Sequence, residues 1–154
     1  MRTENGTTVH RQDYQPFPFN IPEVELEFDL DPDLTWLRSR LIVQRKPQAS
    51  GTRRLELDGE DLALVSVHLN GVALVEGQYT VSATQLVIHD MPDAAVLDIV
   101  STNRPVKNTS LSGLYVSGSA LFTQCEAEGF RRICWFADRP DVMSTYRVTL
   151  RADR

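Results

Sequence analysis

Polar side chains are concentrated in residues 123–132, near the C-terminal end of the chain. Five consecutive positions there include the carboxamide of Gln124 and the carboxylates of Glu126 and Glu128, and Gly129 follows them. Carboxylates that a fold holds in place bind cations, and a charge-assisted hydrogen bond contributes about 1.5–3 kcal/mol. This segment is therefore the first candidate for a binding site.

Cys125 lies inside the same segment and raises the alternative of a nucleophile. A cysteine nucleophile needs a base positioned beside it. The sequence has three histidines: His10, His68 and His89. Nothing in their spacing brings one of them toward Cys125. We therefore expect Cys125 to be a buried free thiol, and Cys134 to be a core residue for the same reason.

The elements that must position this segment are predicted to be strands. Residues 23–29 alternate strictly between apolar and acidic side chains, which indicates a strand with one buried face. After a turn at Asp31-Pro32-Asp33, residues 34–45 are predicted to pair with it, placing Arg38 and Arg40 opposite the acidic row. Alternation spreads these acids along a ladder, whereas a Ca²⁺ or Mg²⁺ site gathers its oxygens at one point, so the row indicates a solvated face.

Short strands are predicted to continue along most of the chain. Asn70-Gly71 is typical of a type I′ hairpin turn, because that turn needs positive φ at both central positions. The further predicted strands are 55–62, 65–69, 72–76, 79–81, 85–88, 95–100, 114–116, 120–122 and 143–152. The hairpin of 114–116 and 120–122 would deliver Thr123 and Gln124 to a sheet edge.

One short helix is predicted near the C-terminal end. Apolar residues after Gly129 recur at i, i+3, i+4 and i+7, namely Phe130, Ile133, Cys134 and Ala137. The helix would end before Pro140. Glu128 would then open this helix, where a negative charge suits the dipole, and have a structural role.

The chain as a whole is predicted to be an all-β domain, an antiparallel or mixed β-sandwich or saddle-shaped sheet. Its 154 residues suffice for one core, with residues 14–154 forming the domain and residues 1–13 frayed. The net charge of −5 is interspersed, which argues against nucleic acid as a partner. No apolar run suits a secretory signal or a membrane span, and two cysteines nine positions apart suit a reducing compartment, so we expect a cytoplasmic protein without a membrane partner.

The sequence closely resembles the N-terminal β domain of bacterial alanyl aminopeptidases (aminopeptidase N), zinc exopeptidases of the gluzincin group. The resemblance runs from about Tyr14 to the end of the chain. It is densest in residues 55–62, 65–69 and 113–142. It implies an N-terminal domain of a zinc-dependent aminopeptidase that removes N-terminal amino acids from peptides, alanine-like or basic ones among them.

The resemblance also implies roles for two residues. The family's Gln-x-Glu segment lies at the end of the substrate cleft, which implies that Glu126 binds the α-amine of a peptide substrate and that Gln124 lines the same subsite. The alternative is a standalone β-sandwich module that binds a ligand or a protein partner.

The catalytic part of such an enzyme is expected to lie outside this chain. The family's zinc is held by His-Glu-x-x-His and a downstream glutamate, and the sequence contains no His-Glu-x-x-His. We therefore expect no catalytic residue, no bound zinc and no activity in the chain alone. An intramolecular catalytic domain would supply zinc, a zinc-activated water and a glutamate base. The family's β domain runs some tens of residues further, so we expect this one to be truncated at its C-terminal edge.

Overall fold

The computed structural model describes residues 10–49, 51 and 53–153. Of the segment 1–13 that was predicted to be frayed, residues 1–9 lie outside the described residues. Within the rest, Arg11–Asp13 form a single 3₁₀ turn. The described residues form eleven strands: β1 Phe19–Leu30, β2 Thr35–Arg45, β3 Leu55–Asp58, β4 Ala63–Leu69, β5 Val72–Ala73, β6 Tyr79–Val81, β7 Gln85–Ile88, β8 Ala94–Asn103, β9 Gly113–Ser117, β10 Ala120–Gln124 and β11 Thr145–Ala152.

The strands form one large sheet and two small ones. The large sheet is mixed and has the order β11-β1-β2-β8-β4-β5, in which β11 runs parallel to β1 and the other pairs are antiparallel. A three-stranded sheet has the order β3-β7-β6, and β9 and β10 form a separate hairpin. The predicted all-β class is confirmed. None of the helical turns in residues 10–49, 51 and 53–153 has the length and apolarity to cross a membrane.

A single apolar cluster joins the large and the three-stranded sheet. The predicted alternation of β1 is confirmed, since Val24, Leu26 and Phe28 are buried. Leu55 and Leu57 bring the face of β3 into the same cluster. Burial of a large aliphatic or aromatic side chain contributes roughly 1.5–3 kcal/mol, so these alternating rows provide much of the stabilisation.

The predicted pairing of β1 with β2 is also confirmed, with Glu25 opposite Arg40 and Glu27 opposite Arg38. The ion pairs, however, are made with other neighbours: Arg38 with Asp29 (2.9 Å), Arg40 with Asp98 (2.7 Å), Glu25 with Arg147 (3.1 Å) and Glu27 with Arg151 (3.1 Å). Since β1 is flanked by strands on both sides, its acids have arginines on β11 as well as on β2. Such exposed pairs contribute at most about 1 kcal/mol each.

The Asn70-Gly71 turn has the predicted backbone, with φ of 51° and 80°. The strands around it differ from prediction: β5 ends at Ala73 and β3 ends at Asp58, not at position 62. Past Asp58 the backbone departs from strand geometry: Gly59 lies against the ring of Trp135, and Asp61 has a left-handed φ of 56°. Residues 59–61 are therefore a loop.

The short helix predicted after Gly129 is present, but it is a 3₁₀ helix and ends earlier than predicted. It covers only Phe130–Arg132, after which the chain passes through a turn and a bend to an isolated β-bridge at Phe136. The cause is a long-range contact: Phe136 and Asp58 exchange two backbone hydrogen bonds, of 2.8 and 3.1 Å. Ile133, Cys134 and Ala137 are buried all the same, so the apolar spacing reflects burial in a turn and a bridge rather than a longer helix.

Candidate functional site

The candidate segment follows the β9–β10 hairpin, which carries Gln124 to its open end as predicted. Gln124 is the last residue of β10 and pairs with Gly113. The chain then turns, and the Gly129 N–H donates to the Cys125 carbonyl at 2.8 Å. Glu126 lies within this turn, and its peptide bond to Ala127 is cis.

Two glycines allow the turn to lie in direct contact with its neighbours, because neither has a side chain. A Cβ on Gly129 would lie 2.4 Å from the carbonyl oxygen of Gln124 and 2.7 Å from Cα of Cys125. A Cβ on Gly113 would lie 2.4 Å from Cβ of Arg132. No side chain is accommodated at such distances without a shift of backbone, so the turn, the hairpin and residue 132 are in direct contact.

Arg131 fixes one side of the turn. Its guanidinium forms an ion pair with Asp138 at 3.0 Å and a longer one with Glu128 at 3.6 Å. The backbone N–H of Asp138 donates to the Asp58 carboxylate at 3.2 Å. Burial raises the pKa of the Asp58 carboxyl above its ordinary value, and the charge of Arg131 opposes this rise. The contact with Glu128 is longer and Glu128 is exposed, so it adds little to this arrangement.

Arg132 fixes the other side. Its guanidinium contacts Glu60 at 2.9 Å and also forms an ion pair with Asp61. Glu60 is only 8% exposed, whereas the side chain of Asp61 is 76% exposed. Glu60 itself is positioned by its backbone, because its N–H donates to the carbonyl of Arg131 at 2.9 Å.

Between these elements lies an open recess of about 430 Å³. Its lining consists of Glu60, Ser110, Ser112, Glu126, Ala127, Glu128 and Arg132. Three carboxylates and one guanidinium therefore face the same space. Among the described residues, none forms an ion pair or hydrogen bond with the Glu126 carboxylate. The recess can accordingly accept a cation.

The two predicted site residues are placed differently with respect to the recess. Glu126 lines it, whereas Gln124 is exposed at the end of β10 and does not belong to the lining. Cys125 between them was predicted to be a buried free thiol; it is free but only half-buried, and this burial raises the pKa of its thiol. Cys134 is fully buried, as predicted.

The described part of the chain contains no group of three or more His, Cys, Asp and Glu side chains that could hold a metal ion. The donors around the recess are carboxylates and hydroxyls, and Glu60 is already paired with Arg132. These residues do not match the nitrogen-rich ligand set of catalytic zinc.

Glu60 and Arg132 were not identified as site residues from the sequence. The predicted strand over 55–62 assigned Glu60 to an ordinary strand face. A usable signal was the run Asp58-Gly59-Glu60-Asp61, in which three acids surround a glycine and interrupt the alternation. Consecutive arginines at 131 and 132 supply the matching charges, but the sequence alone does not indicate which acids they pair with.

Comparison with known proteins relates the whole chain to one group of enzymes. No protein-family model matches it. Aminopeptidase N of Caulobacter vibrioides is 46% identical over 153 residues, and aminopeptidase N of Escherichia coli is 39% identical over 152 residues. Each alignment covers 99% of this chain but only 18% and 17% of these relatives. The chain thus spans less than a fifth of the length of these two relatives.

Solved structures agree with these relatives. Aminopeptidase A of Legionella pneumophila, in complex with aspartic acid, is similar with a TM-score of 0.83 and 30% identity, over 90% of this chain and 16% of that one. An M1 zinc metallopeptidase of Deinococcus radiodurans, bound to a Tyr-Ser-Ala substrate, shares the fold with a TM-score of 0.71 at 15% identity, over 86% of this chain and 32% of that one. The chain therefore resembles the N-terminal part of aminopeptidase N in sequence, and it shares its fold with part of these solved structures.

Proposed function

We propose that this chain is the N-terminal domain of a zinc-dependent aminopeptidase and that Glu126 binds the free α-amine of peptide substrates. The similarity to aminopeptidase N over 99% of the chain supports the enzyme class. The observation that carries the amine role is the Glu126 carboxylate, which lines an acidic recess without a partner among the described residues. The proposal also places the protein in the cytoplasm, because both of its cysteines are free thiols, which suits a reducing compartment.

The chemistry of the recess suits an N-terminal ammonium. This group has a full positive charge and three donors, whereas an internal peptide nitrogen has no charge and one donor. A carboxylate therefore selects the end of a peptide over its interior. Gln124, exposed at the end of β10, offers a carboxamide oxygen beside the same turn and is proposed to border the subsite.

The backbone around Glu126 is restricted before a substrate arrives. The contact of Gly129 with Gln124 and Cys125 and the contact of Gly113 with Arg132 restrict the backbone on either side of the turn. A backbone that is already restricted loses less conformational freedom on binding, which favours affinity. The role of this domain is to place the amine at a fixed point of the cleft.

Hydrolysis itself is not assigned to this chain. Its described residues hold no metal cluster and its sequence has no His-Glu-x-x-His, so the zinc of the proposed enzyme would be bound by residues outside it. Zinc in such an enzyme activates a water molecule for attack on the peptide carbonyl. The chain alone is accordingly proposed to be inactive.

The first test is to read the gene beyond the codon for position 154. Codons after position 154 that encode a His-Glu-x-x-His segment support the enzyme, whereas a stop codon would leave a standalone binding module. The second test uses the complete enzyme and an amino-acid anilide. Glu126→Ala should lower kcat/KM by roughly 10- to 100-fold, at about 1.36 kcal/mol per decade. Glu25→Ala, a charge change on the solvated face of β1, is the matched control, and an unchanged kcat/KM for Glu126→Ala would reject the amine role.

A further inference from the structure

The recess contains a positive charge that the proposed function does not use. Arg132 lines the same space as Glu126. Its guanidinium has the sign of the substrate ammonium, and it is a natural partner for a carboxylate because it forms bidentate hydrogen bonds. Left unpaired, Arg132 would compete with the substrate for Glu126 and repel the ammonium as well.

In the structure Arg132 is engaged elsewhere. Its guanidinium contacts Glu60 at 2.9 Å and pairs with Asp61. Glu60 is almost fully buried and its backbone is fixed by the hydrogen bond to the Arg131 carbonyl. The Cβ of Arg132 lies against Gly113, which restricts the start of the side chain too. The guanidinium is thus held between two acids of the 59–61 loop.

We propose that Glu60 is a specificity-determining residue of the amine site, because it neutralises Arg132 and keeps that guanidinium from pairing with Glu126. Glu60 does not have to touch the substrate for this role. It leaves Glu126 available to an ammonium and keeps the recess net negative. Asp61, on the exposed side of the guanidinium, assists. This inference rests on the proposed role of Glu126.

The proposal predicts a loss that a second substitution reverses. In the complete enzyme, Glu60→Gln keeps the size of the side chain but releases the Arg132 charge, and kcat/KM for an amino-acid anilide should fall about 10-fold. Adding Arg132→Gln removes the competing cation and should restore most of that loss. Adding Glu60→Gln to Glu126→Ala should not lower kcat/KM further, because the Glu126 carboxylate with which Arg132 would pair has already been removed. Glu56→Gln, the same change on the exposed face of β3, is the control.

Each result decides between two accounts. A purely structural role of Glu60 predicts instead that Glu60→Gln lowers the affinities for an amino-acid hydroxamate and for its amine-free analogue alike, because directly paired residues are coupled in stability whatever their function; that result would overturn the inference while leaving the amine role intact. An unchanged kcat/KM for Glu126→Ala would overturn the amine role and the inference with it. If Glu60→Gln fails to fold, Asp61→Asn tests the same point at an exposed position. It should lower kcat/KM by a smaller factor, also reversed by Arg132→Gln, and an unaltered value would contradict the proposal.

Discussion

Gly113 lies so close to Arg132 that a Cβ on the glycine would be 2.4 Å from the Cβ of the arginine. Gly113 also has a φ of 77°. Gly113→Ala should therefore cost roughly 1–3 kcal/mol for overpacking, in addition to about 1–2 kcal/mol for the left-handed backbone. Urea unfolding of the variant and the parent protein measures the sum.

Gly118 provides the matched control, because its φ is also positive, at 60°, but no atom lies within 4 Å of a Cβ built on it. Gly118→Ala should show only the backbone cost. Equal losses of unfolding free energy in the two variants would mean that the contact with Arg132 does not constrain the hairpin.

Asp141 should make the stability of the protein pH-dependent in the acid range. Hydrogen bonds from Arg139 (2.8 Å), from the Phe17 N–H (3.0 Å) and from the Tyr14 hydroxyl (2.9 Å) hold the pKa of its carboxyl well below the ordinary value of 3.8. A depressed pKa stabilises the fold above about pH 4, and this contribution is lost as the pH falls below that value. Asp141→Asn should therefore be destabilised at pH 7, by about 1–3 kcal/mol.

The difference between Asp141→Asn and the parent should shrink when urea unfolding is repeated near pH 3. Tyr14→Phe removes only one of the three donors and serves as a graded control with a smaller loss at pH 7. If the difference in unfolding free energy is as large near pH 3 as at pH 7, the charge of the Asp141 carboxylate does not stabilise the packing of residues 14–17 on the domain.

The two thiols should react at different rates with a disulfide reagent. Cys134 is fully buried and Cys125 is half-buried, and burial raises the pKa of both thiols. Because the thiolate is the reacting form, native protein should be labelled slowly at Cys125 and not at Cys134. Cys125→Ser should abolish native labelling, and unfolding in urea should expose Cys134. Rapid native labelling of the Cys125→Ser variant would contradict the observed burial of Cys134.

Local patterns in the sequence predicted local structure well. The strand β1 was predictable because Val24, Leu26 and Phe28 alternate with acids, and the turn at Asn70-Gly71 because few residues adopt positive φ at two successive positions. Both depend on interactions within a few residues. The hairpin that carries Gln124 belongs to the same class of prediction.

Contacts between distant segments were not predictable in this way. The Phe136–Asp58 bridge limited the predicted helix to a single 3₁₀ turn, and the parallel pairing of β11 with β1 has no local signal. The recess is lined by Glu60 and Arg132, which form an ion pair although they lie far apart in the sequence. Glu126 was assigned its role from the resemblance to a family, because an acid in a loop does not by itself indicate a ligand.

Binding of two matched ligands to the complete enzyme tests the role of Glu126 most directly. One ligand is an amino-acid hydroxamate, and the other is the same hydroxamate without its amine, so that both can bind zinc and only the ammonium differs. Calorimetric titration gives the ratio of their Kd values. Glu126→Gln should lower the preference for the amine-bearing ligand by about 10-fold or more, or about 1.4 kcal/mol, and leave the affinity for the amine-free ligand unchanged. A preference equal to that of the parent enzyme would contradict the assignment of Glu126 as the amine-binding residue.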